Sequence, residues 1–151
     1  MIDFKSSAIR HFDDAGFLEA DKREANAGQL YGFCAECGIK ALLIALGYPT
    51  DADGSPIGRK ALKNHPDKPP YIREHIDVLV AIKIEIENCA SGRSGAKYLA
   101  LIPSIDSFSD WSTDYRYFDQ HKIPPSLPAW KGAAAEIMKM MDEAFIDGVL
   151  R

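Results

Sequence analysis

The chain lacks a long apolar run, an excess of basic residues and a full set of paired cysteines, and each shortage narrows what it does. Its longest apolar stretch, residues 39–47, is broken by Lys40. A bilayer crossing needs about 20 such residues. The opening Met1-Ile2-Asp3-Phe4-Lys5 leads into no apolar core of signal-peptide length. There are 18 Lys and Arg against 22 Asp and Glu, for a net charge of −4. A dedicated nucleic-acid binder is usually more basic, so any nucleic-acid contact must come from a local patch or a groove between subunits. Three cysteines, an odd number, fit a reducing compartment better than a disulfide framework. These absences predict a cytoplasmic protein with no membrane association. No internal repeat or low-complexity tract is present.

The 151 residues, 46% hydrophobic and 26% charged, suit one globular domain over 1–151 with a single core. Phe4, Ala8, Phe12, Ala15 and Leu18 recur at spacings of three and four, which predicts an amphipathic helix. A charged stretch, residues 19–24, separates it from a second helix expected over residues 26–46. That helix is apolar nearly all round, the mark of a buried helix, with Gly47 as its stop and Pro49 just beyond. Gly28, Gly32 and Gly38 weaken its intrinsic propensity by roughly 1 kcal/mol each, which predicts close approach of a neighbouring element as compensation.

Residues 48–70 read as a long, locally basic loop full of turn formers. Residues 71–88 read as a third long helix opened by the paired prolines, although alternation of Val78, Val80, Ile82, Ile84 and Ile86 would also suit a strand. A short helix is expected over 96–102 and an irregular, aromatic, proline-bearing segment over 104–128. The last helix should start near Ser126 or Leu127, with an apolar stripe of Trp130, Ala134, Ile137, Met141 and Phe145. The fold class is therefore all-α: an up-and-down bundle of about four long helices plus one or two short ones.

Several residue patterns bear on chemistry. Cys34-Ala35-Glu36-Cys37 is a C-x-x-C. A redox motif of that form follows a strand and opens a helix, whereas this one sits mid-helix, so two core cysteines sharing a face are expected. As a metal site it would need further ligands, for which Cys89 and His65 are the candidates. Glu36 and Lys40, four apart on the same helix, form either a surface ion pair or a polar pair lining a groove between helices. His65, in a loop, and His75, in the first turns of the expected third helix, read as structural or solvent-exposed, and His11 has no motif around it. Trp111 and the aromatics after it either stack on bases or pack beneath the irregular segment. Arg116 and His121 form an R-x4-H pattern.

Taken together these stretches resemble the HEPN superfamily of small helical-bundle proteins. The likeness runs through residues 10–15 (Arg-His-Phe-Asp-Asp-Ala), residues 25–32 (Ala-Asn-Ala-Gly-Gln-Leu-Tyr-Gly) and residues 35–43 (Ala-Glu-Cys-Gly-Ile-Lys-Ala-Leu-Leu). It continues through residues 74–79 (Glu-His-Ile-Asp-Val-Leu), Asp110-Trp111 and Arg116-Tyr117. The resemblance implies a metal-independent endoribonuclease of toxin or phage-defence type, needing no cofactor. It would act as a homodimer whose two R-x4-6-H motifs meet in one cleft, with Arg116 and His121 as catalytic residues. It also implies RNA as substrate and a nucleotidyltransferase-like antitoxin as partner. Arg offers a permanent planar donor fork to a phosphate, and His titrates near neutrality and moves protons. The other readings are a catalytically silent HEPN-like module that docks a partner protein or nucleotide, and a metal-binding protein built on Cys34, Cys37 and Cys89.

Overall fold

The computed structural model describes residues 2–56 and 93–151. The expected third helix over 71–88, and with it His65, His75 and Cys89, lies outside the described residues, as does the 57–70 part of the expected loop.

Within the described residues the protein is mostly helical and has no strand beyond an isolated bridge between Thr50 and Pro56. Helix α1 spans Phe4–Ala20 and starts at Asp3, whose carboxylate accepts the Ser6 backbone N–H at 3.0 Å. That cap satisfies one of the donors a helix start leaves open. The predicted apolar spacing holds: Ala8 and Ala15 are fully buried, and Phe4, Phe12 and Leu18 pack on the core. Helix α2 spans Glu24–Ala45. It ends in a tight reversal in which Gly47 takes a φ of 88°. There the Tyr48 N–H reaches the Leu43 carbonyl at 2.9 Å and the Gly47 N–H the Ile44 carbonyl at 3.0 Å. A side chain at that φ would be strained, so glycine fits the position.

Helix α3 spans Arg93–Ala100 and helix α4 Leu127–Ile146. Between them the irregular segment resolves into three 3₁₀ turns, Ile105–Asp110, Thr113–Tyr117 and Gln120–Lys122. Ser126 precedes α4 as expected but makes no capping bond. Its hydroxyl is taken instead by the Asp110 carboxylate.

Contacts fix the helix directions. Phe12 meets Tyr31, His11 meets Phe33 and Lys40 lies over Phe4, so α1 and α2 run antiparallel. On α2, Gly28 faces Trp130 and Gly38 faces Ile137 and Met141, so α4 runs in the same direction as α2. The glycines have the compensation the sequence demanded. A Cβ on Gly28 would lie 2.8 Å from the Trp130 ring, one on Gly38 2.5 Å from Ile137, and one on Gly32 only 1.9 Å from the Trp111 ring. Bare backbone lets α4 and the irregular segment close onto α2. No helix among the described residues is long and apolar enough to cross a membrane.

Candidate functional site

The R-x4-H pattern sits on the irregular segment, so what fixes that segment matters first. Trp111 is its anchor. The side chain is 0% exposed, lies edge-on to Phe33 with centroids 5.6 Å apart, and donates its indole N–H to the Gly28 carbonyl at 3.1 Å. Burying an indole of about 200 Å² contributes roughly 5 kcal/mol of transfer free energy. Of the two readings of this tryptophan, packing is the one observed.

Asp110 ties the same segment to α4. One carboxylate oxygen accepts the Trp130 indole N–H at 2.9 Å, the other accepts the Ser126 hydroxyl, and its main-chain carbonyl accepts the Tyr115 hydroxyl at 2.6 Å. Further ties come from Gln29, whose amide donates to the Ser112 carbonyl at 2.7 Å. Glu136 accepts both the backbone N–H and the hydroxyl of Ser104, at 2.8 and 2.7 Å. A stretch without long helical ladders is held by side chains reaching from α2 and α4.

On this base Arg116 and His121 both stand exposed, Arg116 in the second 3₁₀ turn and His121 in the third. The Arg116 guanidinium lies 4.8 Å from the Tyr117 ring centroid. The His121 backbone N–H is capped by the Asp119 carboxylate at 2.9 Å, which fixes the main chain of that turn. Tyr117 is 75% and Phe118 49% exposed. Phe118 leans on Tyr115 at 5.6 Å, and Tyr115 stacks on Trp130 at 6.3 Å. An aromatic ladder therefore leads from the core to the surface beside the Arg/His pair. The aromatic composition of the segment hinted at this, but which rings are buried and which exposed was not readable from sequence.

The other singled-out residues fall elsewhere. Cys34 and Cys37 are free thiols in the middle of α2, Cys34 fully buried. Burial, reinforced by their mutual proximity for Cys34, pushes the Cys34 thiol up to about 12, and burial with the neighbouring Glu36 pushes Cys37 up to about 11. A reactive thiolate needs the opposite shift, so they act as core side chains. Among the described residues no group of three or more His, Cys, Asp or Glu is arranged to hold a metal ion.

Glu36 and Lys40 do pair, but not at the surface. They are 5% and 9% exposed, and the Lys40 ammonium also lies over the Phe4 ring at 5.4 Å. A helix buried on nearly every face leaves its polar pair nowhere else to go. Near them His11 is half-buried against Phe33, at 5.7 Å, with its Nδ1 buried and without a hydrogen-bond partner. Desolvation, then the charge of Arg10, lowers its pKa below 6.5. No family model, curated protein or solved structure matches the chain.

Proposed function

We propose that the protein is a HEPN-like, metal-independent endoribonuclease of toxin or phage-defence type, with Arg116 and His121 as its catalytic residues. The observation that carries the reading is the placement of this pair. Both side chains are exposed on successive 3₁₀ turns, and the segment bearing them is held by Trp111 and Asp110. Catalytic side chains need a fixed main chain beneath them and access for a polymer above. The fold reading that goes with it is an up-and-down bundle of about four long helices plus one or two short ones. The antiparallel α1 and α2 and the parallel α2 and α4 support that arrangement.

In this mechanism the His121 imidazole takes the proton of a ribose 2′-OH. The freed oxygen attacks the adjacent phosphorus, the bond to the 5′-oxygen breaks, and that oxygen takes a proton. The products are a 2′,3′-cyclic phosphate and a 5′-hydroxyl. Arg116 offsets the charge gathering on the phosphate oxygens. The resemblance sets two such pairs in one cleft, so the reading requires a homodimer whose second Arg/His pair completes it. A cytoplasmic location and a nucleotidyltransferase-like antitoxin complete the proposal.

The second reading, a silent binding module that docks a partner protein or nucleotide, is favoured by one specific feature: the Arg116 guanidinium rests on its neighbour Tyr117. Cleavage of RNA in EDTA by the unsubstituted protein and by His121→Ala separates the two. The ribonuclease reading expects cleavage from the first and at least a hundredfold loss in the second, in line with the ~10²–10⁴ contributed by a general acid or base. Equal cleavage by both, or none by either, sinks it.

A further inference from the structure

Helix α1 turns Phe4, Ala8, Phe12, Ala15 and Leu18 to the core. At about 100° per residue, the opposite face carries Ser6, Ile9, Arg10, Asp13 and Phe17, all exposed. Ser6, Ile9, Arg10 and Asp13, with Asp14, line a shallow depression of about 330 Å³. The first four stand at spacings i, i+3, i+4 and i+7, the diamond that receives one side chain of a facing helix. Phe17, 76% exposed, projects from the same face one turn beyond Asp13, so it cannot fill the depression of its own helix. The charges on this face are also left over. Asp13 and Asp14 lie three and four positions after Arg10, yet among the described residues no ion pair joins them. A base placed N-terminal to its acid is the weaker orientation along a helix. Arg10 instead makes a long bond to the Ser7 hydroxyl at 3.4 Å.

We infer that the outer face of α1 docks a second copy of this chain, packed antiparallel across a two-fold axis near Asp13. Such an axis carries each Phe17 into the depression at Ser6, Ile9, Arg10 and Asp13 of the other copy, and symmetry makes both insertions at once. Each Arg10 then lies within about one helical turn of Asp13 and Asp14 of the other copy. The order of charge, base before acids, is complementary only when the two helices run in opposite directions. A parallel copy would set Arg10 against Arg10 and Asp13 against Asp13. In the antiparallel pair the two Asp13 carboxylates approach each other on the axis, so the two arginines are what keeps the contact attractive. The face is one helix wide, which places the contact among small, weak interfaces and dimerisation in the micromolar range. The inference rests on α1 alone and does not use the ribonuclease reading.

Sedimentation equilibrium of the full chain tests this. The chain should dimerise reversibly, and more weakly as salt is raised. Phe17→Ala and Arg10→Glu should each weaken dimerisation about tenfold or more while keeping the far-ultraviolet circular dichroism of the parent, since both side chains are exposed. The decisive arm mixes Arg10→Glu with a variant carrying Asp13→Lys and Asp14→Lys. Each variant repels its own copies and should stay monomeric alone. Mixed, they set opposite charges against each other at every pairing and should dimerise as the parent does. A substitution that merely disturbed the helix would not be rescued by a partner. A parent that is monomeric at every concentration, or a mixture that stays monomeric, overturns the inference. A dimer indifferent to all of these substitutions also overturns it, and leaves the ribonuclease reading its second copy through another face. Cleavage in EDTA that depends on His121 is read separately, so either proposal can fail alone.

Discussion

Gly32→Ala is the most demanding perturbation of this fold, because two well-understood effects of opposite sign meet there. In an ordinary helix interior the change stabilises by roughly 0.5–1 kcal/mol, since glycine gives up more backbone freedom on folding. At Gly32 the new Cβ would lie 1.9 Å from one Trp111 ring atom and 2.2 and 2.3 Å from two others. Ordinary van der Waals contact begins near 3.4 Å, so the ring has to retreat by more than an ångström. The ring has no slack for that: it is fully buried, edge-on to Phe33 and bonded to Gly28. Overpacking costs about 1–3 kcal/mol, and expelling the indole approaches the roughly 3–5 kcal/mol of a Trp→Ala truncation. Net of the propensity gain, the expected loss is about 2–4 kcal/mol. For a chain of this size that corresponds to a Tm lower by roughly 5–15 °C. Gly132→Ala on α4 is the control, because nothing lies within 4 Å of its Cβ position; it should raise stability by about 0.5–1 kcal/mol. Urea and thermal unfolding followed by circular dichroism measure both. If Gly32→Ala is as stabilising as Gly132→Ala, the seating of Trp111 against α2 is wrong, and the support for the segment bearing Arg116 and His121 goes with it.

Other perturbations have equally definite outcomes. Asp110→Ala leaves the Trp130 indole N–H without its acceptor and frees the Ser126 hydroxyl; it should cost about 2–4 kcal/mol in urea unfolding and, under the ribonuclease proposal, reduce RNA cleavage together with stability. Lys40→Met removes the buried cation that pairs with the Glu36 carboxylate and should destabilise by about 3–5 kcal/mol, whereas Glu36→Leu combined with Lys40→Met should recover part of that loss; a double variant less stable than the single one would contradict the burial of the pair. His11 has a folded pKa below its unfolded value near 6.5 because burial disfavours the imidazolium. The unfolded chain therefore binds the proton more readily, so the contribution of His11 is fully present above about pH 6.5 and is lost as pH falls through the lower folded value. The Tm of the unsubstituted protein should fall on acidification through that window more than that of His11→Phe, and equal slopes would show that His11 is not desolvated.

The helices were legible because helix periodicity is a local signal. The apolar spacing from Phe4 to Leu18 gave α1, and the second helix expected over 26–46 is observed as Glu24–Ala45. The demand that Gly28, Gly32 and Gly38 be compensated by a close neighbour was also readable, since a glycine-rich buried helix has no other source of stability. Which neighbour supplies it was not: Trp111 lies 79 positions from Gly32 along the chain, and nothing local encodes that meeting. The segment over 104–128 has no period, so its three 3₁₀ turns appear only once Asp110, Gln29 and Glu136 are seen to bond across the fold. Glu36 and Lys40 suited a surface ion pair first and a groove-lining pair second, and the structure buries them, because an i, i+4 spacing does not report depth. For the candidate site, the pattern gave Arg116 and His121 their names but not their exposure. That depends on which aromatic residues the core takes, and it took Trp111 and Trp130 and left Tyr117 and Phe118 outside.

The most direct test of the proposed chemistry is to map the ends of the RNA fragments produced by the unsubstituted protein in EDTA. The account predicts a 2′,3′-cyclic phosphate on one fragment and a 5′-hydroxyl on the other, with a single 2′-deoxy substitution at the cleaved position abolishing the cut. Fragments ending in 3′-hydroxyl and 5′-phosphate, or cleavage that persists at the deoxy position, would contradict it.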